Sequence, residues 1–183
     1  ANEGSSKDTF IHECFSRDTQ GAMGEHYTRS RYYHLFINGQ YWGLYQTEER
    51  GDEDFAKAYN GGAGGNYDVI KTSYNGGGVY HTGPSEGTDE AWKALWDLIV
   101  HQSDGPQNFR RAMGLNEDGS RNPDYPVYLN VTNLIKYVLV SHYVADTDSP
   151  CNSQANVNNI IAFRNRVDGE GKEDGFLWNR HDA

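Results

Sequence analysis

Asn38-Gly39, set between two runs rich in aromatic and β-branched residues, limits most what this chain can fold into. A type I′ turn needs positive φ at both central residues. Asn-Gly supplies it at little steric cost, so the pair predicts a tight β-hairpin. In the first run Tyr33, Leu35 and Ile37 share one face, and Tyr32, His34 and Phe36 share the other. Gly43 in the second run predicts a bulge or a close backbone approach. That run leads straight into Glu48-Glu49-Arg50-Gly51-Asp52. A stiff ribbon would thus deliver carboxylates to its own end.

A ribbon alone has no core, so the rest of the chain must enclose one. At 183 residues it is long enough for one domain, read here as spanning 1–183. Its start at Ala1 and its end directly after a strand-like run read as a piece of a longer, multidomain protein. Mean hydropathy is −0.84, yet 13 Tyr, 7 Phe and 4 Trp supply large buried areas from few residues. That content excludes a solvating, disordered chain. The net charge of −10 disfavours nonspecific binding to nucleic acid or an anionic membrane. It suits a basic protein partner or a cation site. No apolar run reaches the ~18 residues that a membrane span needs. Cys14 and Cys151 show no C-x-x-C spacing; a disulfide and two separate thiols both stay open.

Taken in order, residues 9–23 show weak helical periodicity, with Phe10, Cys14 and Phe15 on one face and a second short helix capped at Ser16. Residues 52–59 form a short helix with acidic residues in its first turn. Residues 67–71 form a short strand ending near Lys71, and residues 73–87 a glycine-rich loop. Residues 88–102 are the clearest helix, with Trp92, Leu95, Trp96, Ile99 and Val100 as its apolar stripe. A short helix near 108–113 follows, then an extended step at 127–129. A second strong helix runs from a cap at Asn130 or Thr132 to about Val144, with Leu134, Ile135, Val138, Leu139 and Tyr143 facing the core. Residues 158–164 and 175–181 pair as antiparallel strands about the charged turn 168–174. The fold class is α+β, with antiparallel hairpins and two main helices, and not a doubly wound sheet.

Three polar positions stand where elements end. Asp148 follows the long helix, Asn159 opens the next strand and Asp182 closes the last. If the two strands pair, Asn159 and Asp182 share the end opposite the turn. Two carboxylates and an amide suit Mg²⁺ or Mn²⁺, which favour hard oxygen ligands. Glu49 and Lys71 form a second candidate pair, since a strand lysine held by a glutamate is how kinases aim charge at ATP phosphates. On spacing alone, solvated turns, caps and ordinary surface charges are the better explanation of both sets. The glycine clusters 61–65 and 76–78 fit neither dinucleotide nor Walker patterns and read as turns. The histidines show no H-E-x-x-H, and His34 reads as packed or edge-exposed.

The hairpin block Asn-Gly, aromatic, Trp-Gly-x-Tyr, then Glu49-Arg50 resembles the CotH kinase family, the spore-coat CotH-like atypical protein kinases. The strand ending at Lys71, the helix after the extended Tyr-Leu step, the strand Asn159-Ile-Ile-Ala-Phe-Arg and the run 178–182 resemble further blocks of that family in order. The resemblance implies a divergent protein-kinase-like domain that transfers the ATP γ-phosphate to Ser or Thr of protein substrates with Mg or Mn. It implies Glu49 paired with Lys71 on the nucleotide, Asp148 as the catalytic aspartate, and Asn159 and Asp182 on the metal. It implies a secreted or cell-surface bacterial protein. Asp148 and Asn159 stand farther apart than the family's usual Asp-x-x-x-x-Asn, so the loop carries an insertion near 151–157, and Asp146 rivals Asp148. Two other readings stay open: a non-catalytic surface or coat protein that keeps the fold, and a metal-dependent hydrolase.

Overall fold

The computed structural model describes residues 10–74, 80–100, 105–149 and 158–182. Eleven elements follow one another among them: α1 (His12–Ala22), β1 (Ser30–Ile37), β2 (Gln40–Glu48), α2 (Glu53–Asn60), β3 (Tyr67–Tyr74), β4 (Tyr80–Glu86), α3 (Glu90–Val100), α4 (Gly105–Ala112), α5 (Val131–Tyr143), β5 (Ile161–Asn165) and β6 (Leu177–Asn179). The class is α+β. The strands form a two-stranded ribbon β1-β2 and a four-stranded sheet in the order β4-β3-β5-β6, every neighbouring pair antiparallel.

The ribbon follows its sequence closely. Asn38 and Gly39 have φ of 51° and 79°, as a type I′ turn demands. Leu35 faces Gly43 but Phe36 faces Tyr41, so Trp42 is the extra residue of a bulge beside Gly43. Most of the ribbon's large side chains, including Tyr33, Phe36, Tyr41 and Trp42, are exposed.

The core lies on the two faces of the larger sheet. Ile70, Ala162, Phe176 and Trp178 pack against Ala91 and Leu95 of α3, Ala112 of α4 and Tyr137 of α5. Tyr67, Val69, Phe163 and Leu177 pack on the opposite face against Phe55 and Ala56 of α2. Burying each large side chain contributes about 1.5–3 kcal/mol, which lets few apolar residues suffice. The α2 helix begins where expected: Asp52 Oδ1 accepts from Phe55 N–H at 3.1 Å. Asn130 caps α5 by accepting from Asn133 N–H at 3.0 Å.

Several expectations are corrected. The glycine-rich stretch after β3 contains strand β4, which pairs with β3 from Val69 to Tyr74. Gly83 and Pro84 disguised it, and both are tolerated because β4 is an edge strand. The helix α1 is continuous through Ser16, and its buried residues are Ser16, Arg17 and Gln20, while Phe10 and Phe15 are exposed. In α3, Leu95 is buried and Trp92 packs at the core edge, but Trp96, Ile99 and Val100 are exposed. In α5, Leu134 and Val138 pack on the core, but Ile135, Leu139 and Tyr143 are exposed, and the helix buries Asn133 and Ser141 beside Tyr137 and Val140 instead. The two main helices expected are α3 and α5, and the three shorter helices α1, α2 and α4 overlap the other segments read as helical. The face that α1 and α5 turn inward binds polar groups of β6, so an apolar stripe does not identify it. Cys151 and glycines 76–78 lie outside the described residues.

Candidate active site

Strands β5 and β6 pair with Ile161 opposite Asn179, and their open end presents Asn159 on one side and Asp182 on the other. The turn after α5 brings Asp148 to the same point. Asn159 Nδ2 donates to Asp148 Oδ2 and to the Asp182 carbonyl, each at 3.0 Å. Asn158 Nδ2 donates to the same Asp148 oxygen at 3.0 Å. Asn159 is buried, whereas Asp148 and Asp182 are exposed. Asn159 and Asp182 have φ of 55° and 52°, a left-handed conformation that Asn and Asp adopt more readily than most residues. The three residues singled out for metal and catalysis are thus one connected group, arranged by the strand pair.

Behind this group lies an arginine that sequence reasoning missed. Arg180 is 2% exposed. Its guanidinium donates to Ser16 Oγ at 2.9 Å and to Ser141 Oγ at 2.8 Å, and it pairs with Asp146. It also stands 5.2 Å from the Tyr137 ring centroid. Asp146 Oδ1 in turn accepts from Asp148 N–H at 3.0 Å. Asp146, the rival of Asp148 in the sequence, is therefore buried in an ion pair that sets the Asp148 backbone, and Asp148 is the exposed carboxylate of the two. A fully buried arginine needs partners, and these come from α1, α5 and the following turn, which no local pattern joins.

Lys71 stands at the same end of the sheet. It faces Ile161, which faces Asn179. No carboxylate pairs with it among the described residues. Its charge reaches His181, whose pKa is held below the ordinary range by burial first and by Lys71 next. Glu49 does not meet Lys71. Its Oε2 accepts from Arg29 N–H at 2.8 Å and its Oε1 from the Tyr59 hydroxyl at 2.5 Å. The Arg29 guanidinium lies 4.0 Å from the same carboxylate. The Glu49 bond pushes the Tyr59 pKa up. Gly51, just beyond, rests on the Ile161 side chain, where an added Cβ would come within 3.3 Å. The ribbon end thus crosses β5 with Glu49 turned towards α2.

A cavity of about 850 Å³ opens in front of Asp148 and Asp182, with Phe15, Tyr80 and Tyr143 among its walls. Among the described residues, no three His, Cys, Asp or Glu side chains are gathered as a metal cage. The donors available are two exposed carboxylates and the Asn159 amide oxygen. An all-oxygen set this small fits a hard cation that arrives with phosphates and keeps some of its waters. It fits poorly an ion that must be held by protein alone.

A family model described as CotH kinase protein matches residues 2–172, nearly the whole chain. The matched span contains Lys71, Asp148 and Asn159 and stops short of Asp182. No curated protein matches the chain.

Proposed function

This chain belongs to the CotH kinase family, and we propose that it is a kinase-like domain that transfers the γ-phosphate of ATP to Ser or Thr of a protein acceptor. The observation that carries this reading is the Asn159 amide, which joins Asp148 to Asp182 at the mouth of a cavity. Phosphoryl transfer needs positioning and charge neutralisation more than covalent chemistry, and this arrangement is suited to both. Asp148, exposed and oriented by two amides, would receive the proton of the acceptor hydroxyl. Lys71, free of a carboxylate among the described residues, would meet the nucleotide phosphates. Asp182 and the Asn159 amide oxygen would hold Mg²⁺ or Mn²⁺, which supplies neutralisation of the phosphate charge when bound. Glu49 stays with Arg29 and Tyr59, and Lys71 works without it. A secreted or cell-surface setting belongs to the same proposal. No helix among the described residues is long and apolar enough to cross a membrane.

One observation favours a second reading. The Glu49–Lys71 pair that the family resemblance implies is not formed, as a non-catalytic surface relative that keeps the fold would allow. Calorimetric titration of ATP with Mn²⁺ into the protein and into Asp182→Ala separates the two. Binding by the parent and its loss in the variant supports the kinase reading. Absence of binding by either folded protein leaves the non-catalytic reading in its place.

A further inference from the structure

The Asp182 backbone is held from both sides. Its carbonyl accepts from Asn159 at 3.0 Å. Its N–H donates to Glu13 Oε1, also at 3.0 Å, from a helix 169 positions away in the chain. Between these two bonds the residue keeps its left-handed φ of 52°. Asp enters that region more readily than most residues, and two opposed side-chain bonds hold it there.

Glu13 is itself fixed. Arg17, 2% exposed, stands one helical turn along α1. Its Nε donates to Glu13 Oε1 at 2.5 Å, and its other nitrogens reach Thr28 Oγ1 at 2.5 Å and Glu48 Oε2 at 3.0 Å. One buried guanidinium therefore joins α1, the lead-in to β1 and the last residue of β2 to the carboxylate that holds Asp182. It also offsets the Glu13 charge, which would otherwise raise the cost of a second carboxylate close by. The ribbon does deliver a carboxylate towards the site, but it is Glu48 through Arg17 rather than Glu49 through Lys71.

We infer that Glu13 is a positioning residue for Asp182: by accepting its N–H, Glu13 fixes the direction in which the Asp182 carboxylate meets a metal–nucleotide. This rests on the kinase reading above. The bond needs an acceptor oxygen and not a charge, so Glu13→Gln keeps the function and Glu13→Ala loses it.

Two measurements test it. The first is hydrogen exchange of the Asp182 amide by NMR in the parent, Glu13→Gln and Glu13→Ala, with urea unfolding as the check on folding. Protection in the first two and its loss in the third is expected, and equal exchange in all three overturns the inference. The second is the Mn²⁺ concentration needed for half-maximal binding at saturating ATP. It rises about tenfold or more in Glu13→Ala, as loss of about 1.4 kcal/mol of ligand positioning requires, and stays near the parent value in Glu13→Gln. A parent that binds Mn²⁺·ATP alongside an equally competent Glu13→Ala overturns the inference alone. A Glu13→Gln variant that folds but fails as badly as Glu13→Ala overturns it too. A parent that binds no Mn²⁺·ATP removes the kinase reading, and this inference with it.

Discussion

Asn159 donates to Asp148 Oδ2 at 3.0 Å across 11 positions of the chain, and the same nitrogen donates to the Asp182 carbonyl. This short side chain bonds both carboxylate-bearing residues of the site. Its replacement therefore separates site assembly from folding. Asn159→Ala removes two hydrogen bonds and an oxygen donor. Each such bond is worth about 0.5–1.5 kcal/mol, so the affinity for Mn²⁺·ATP falls about 10- to 100-fold. Calorimetry reads the loss, and circular dichroism shows that the α+β fold persists.

Lys71 and Glu49 give opposite outcomes. Lys71→Met weakens ATP binding and barely moves the urea midpoint, because no carboxylate among the described residues is left unpaired. Glu49→Gln leaves ATP affinity near the parent value. It loosens the ribbon base instead, since Arg29 and Tyr59 lose the charge they share. Nucleotide titration and amide exchange at the Arg29 N–H distinguish the two. A loss of ATP affinity in Glu49→Gln equal to that in Lys71→Met would restore the pairing that the family resemblance implied.

Arg180→Met takes from the buried Asp146 the guanidinium that neutralises it. Breaking one side of a buried pair costs about 3–5 kcal/mol, so urea unfolding shifts to markedly lower concentration. Adding Asp146→Leu removes the unneutralised charge and recovers much of that loss. Nucleotide binding stays impaired in the double variant, because Asp148 N–H has lost the carboxylate that orients it.

His26 makes stability depend on pH. Burial holds its pKa below the ordinary 6.5, against the opposing pull of Glu173. Its ring packs on Tyr59 and Phe163. Between the lowered folded value and 6.5, the unfolded chain binds more protons than the folded one. Stability therefore rises with pH across that window and falls as acid protonates the ring. His181 is shifted the same way, chiefly by burial, and adds to the slope. Urea midpoints measured through this window decline on acidification, and His26→Phe flattens part of the decline.

Some elements were legible because their causes are local. Asn38-Gly39 required a tight turn whatever surrounded it, and both residues have the positive φ that the pair implies. Asn130 caps α5 through its own side chain and a nearby N–H, and the acidic run at 52–54 marks the start of α2. Strand β4 was hidden for the opposite reason: Gly83 and Pro84 signal a loop, and only pairing with β3 makes an edge strand of them. The outward turn of Trp96, Ile99, Leu139 and Tyr143 was equally hidden, since apolar spacing does not say which face a neighbour will cover.

By itself, then, the sequence determined the ribbon, its bulge and turn, the Asn130 cap and the three polar positions at element ends. Those features depend on φ preferences and hydrogen bonds that reach only a few residues. Tertiary structure decided that Asn159 would join Asp148 to Asp182, that Arg180 would claim Asp146, and that Glu49 would turn to Arg29 and Tyr59 instead of Lys71. A buried polar group must find a partner wherever packing brings one, and packing brings residues together across any distance in the chain.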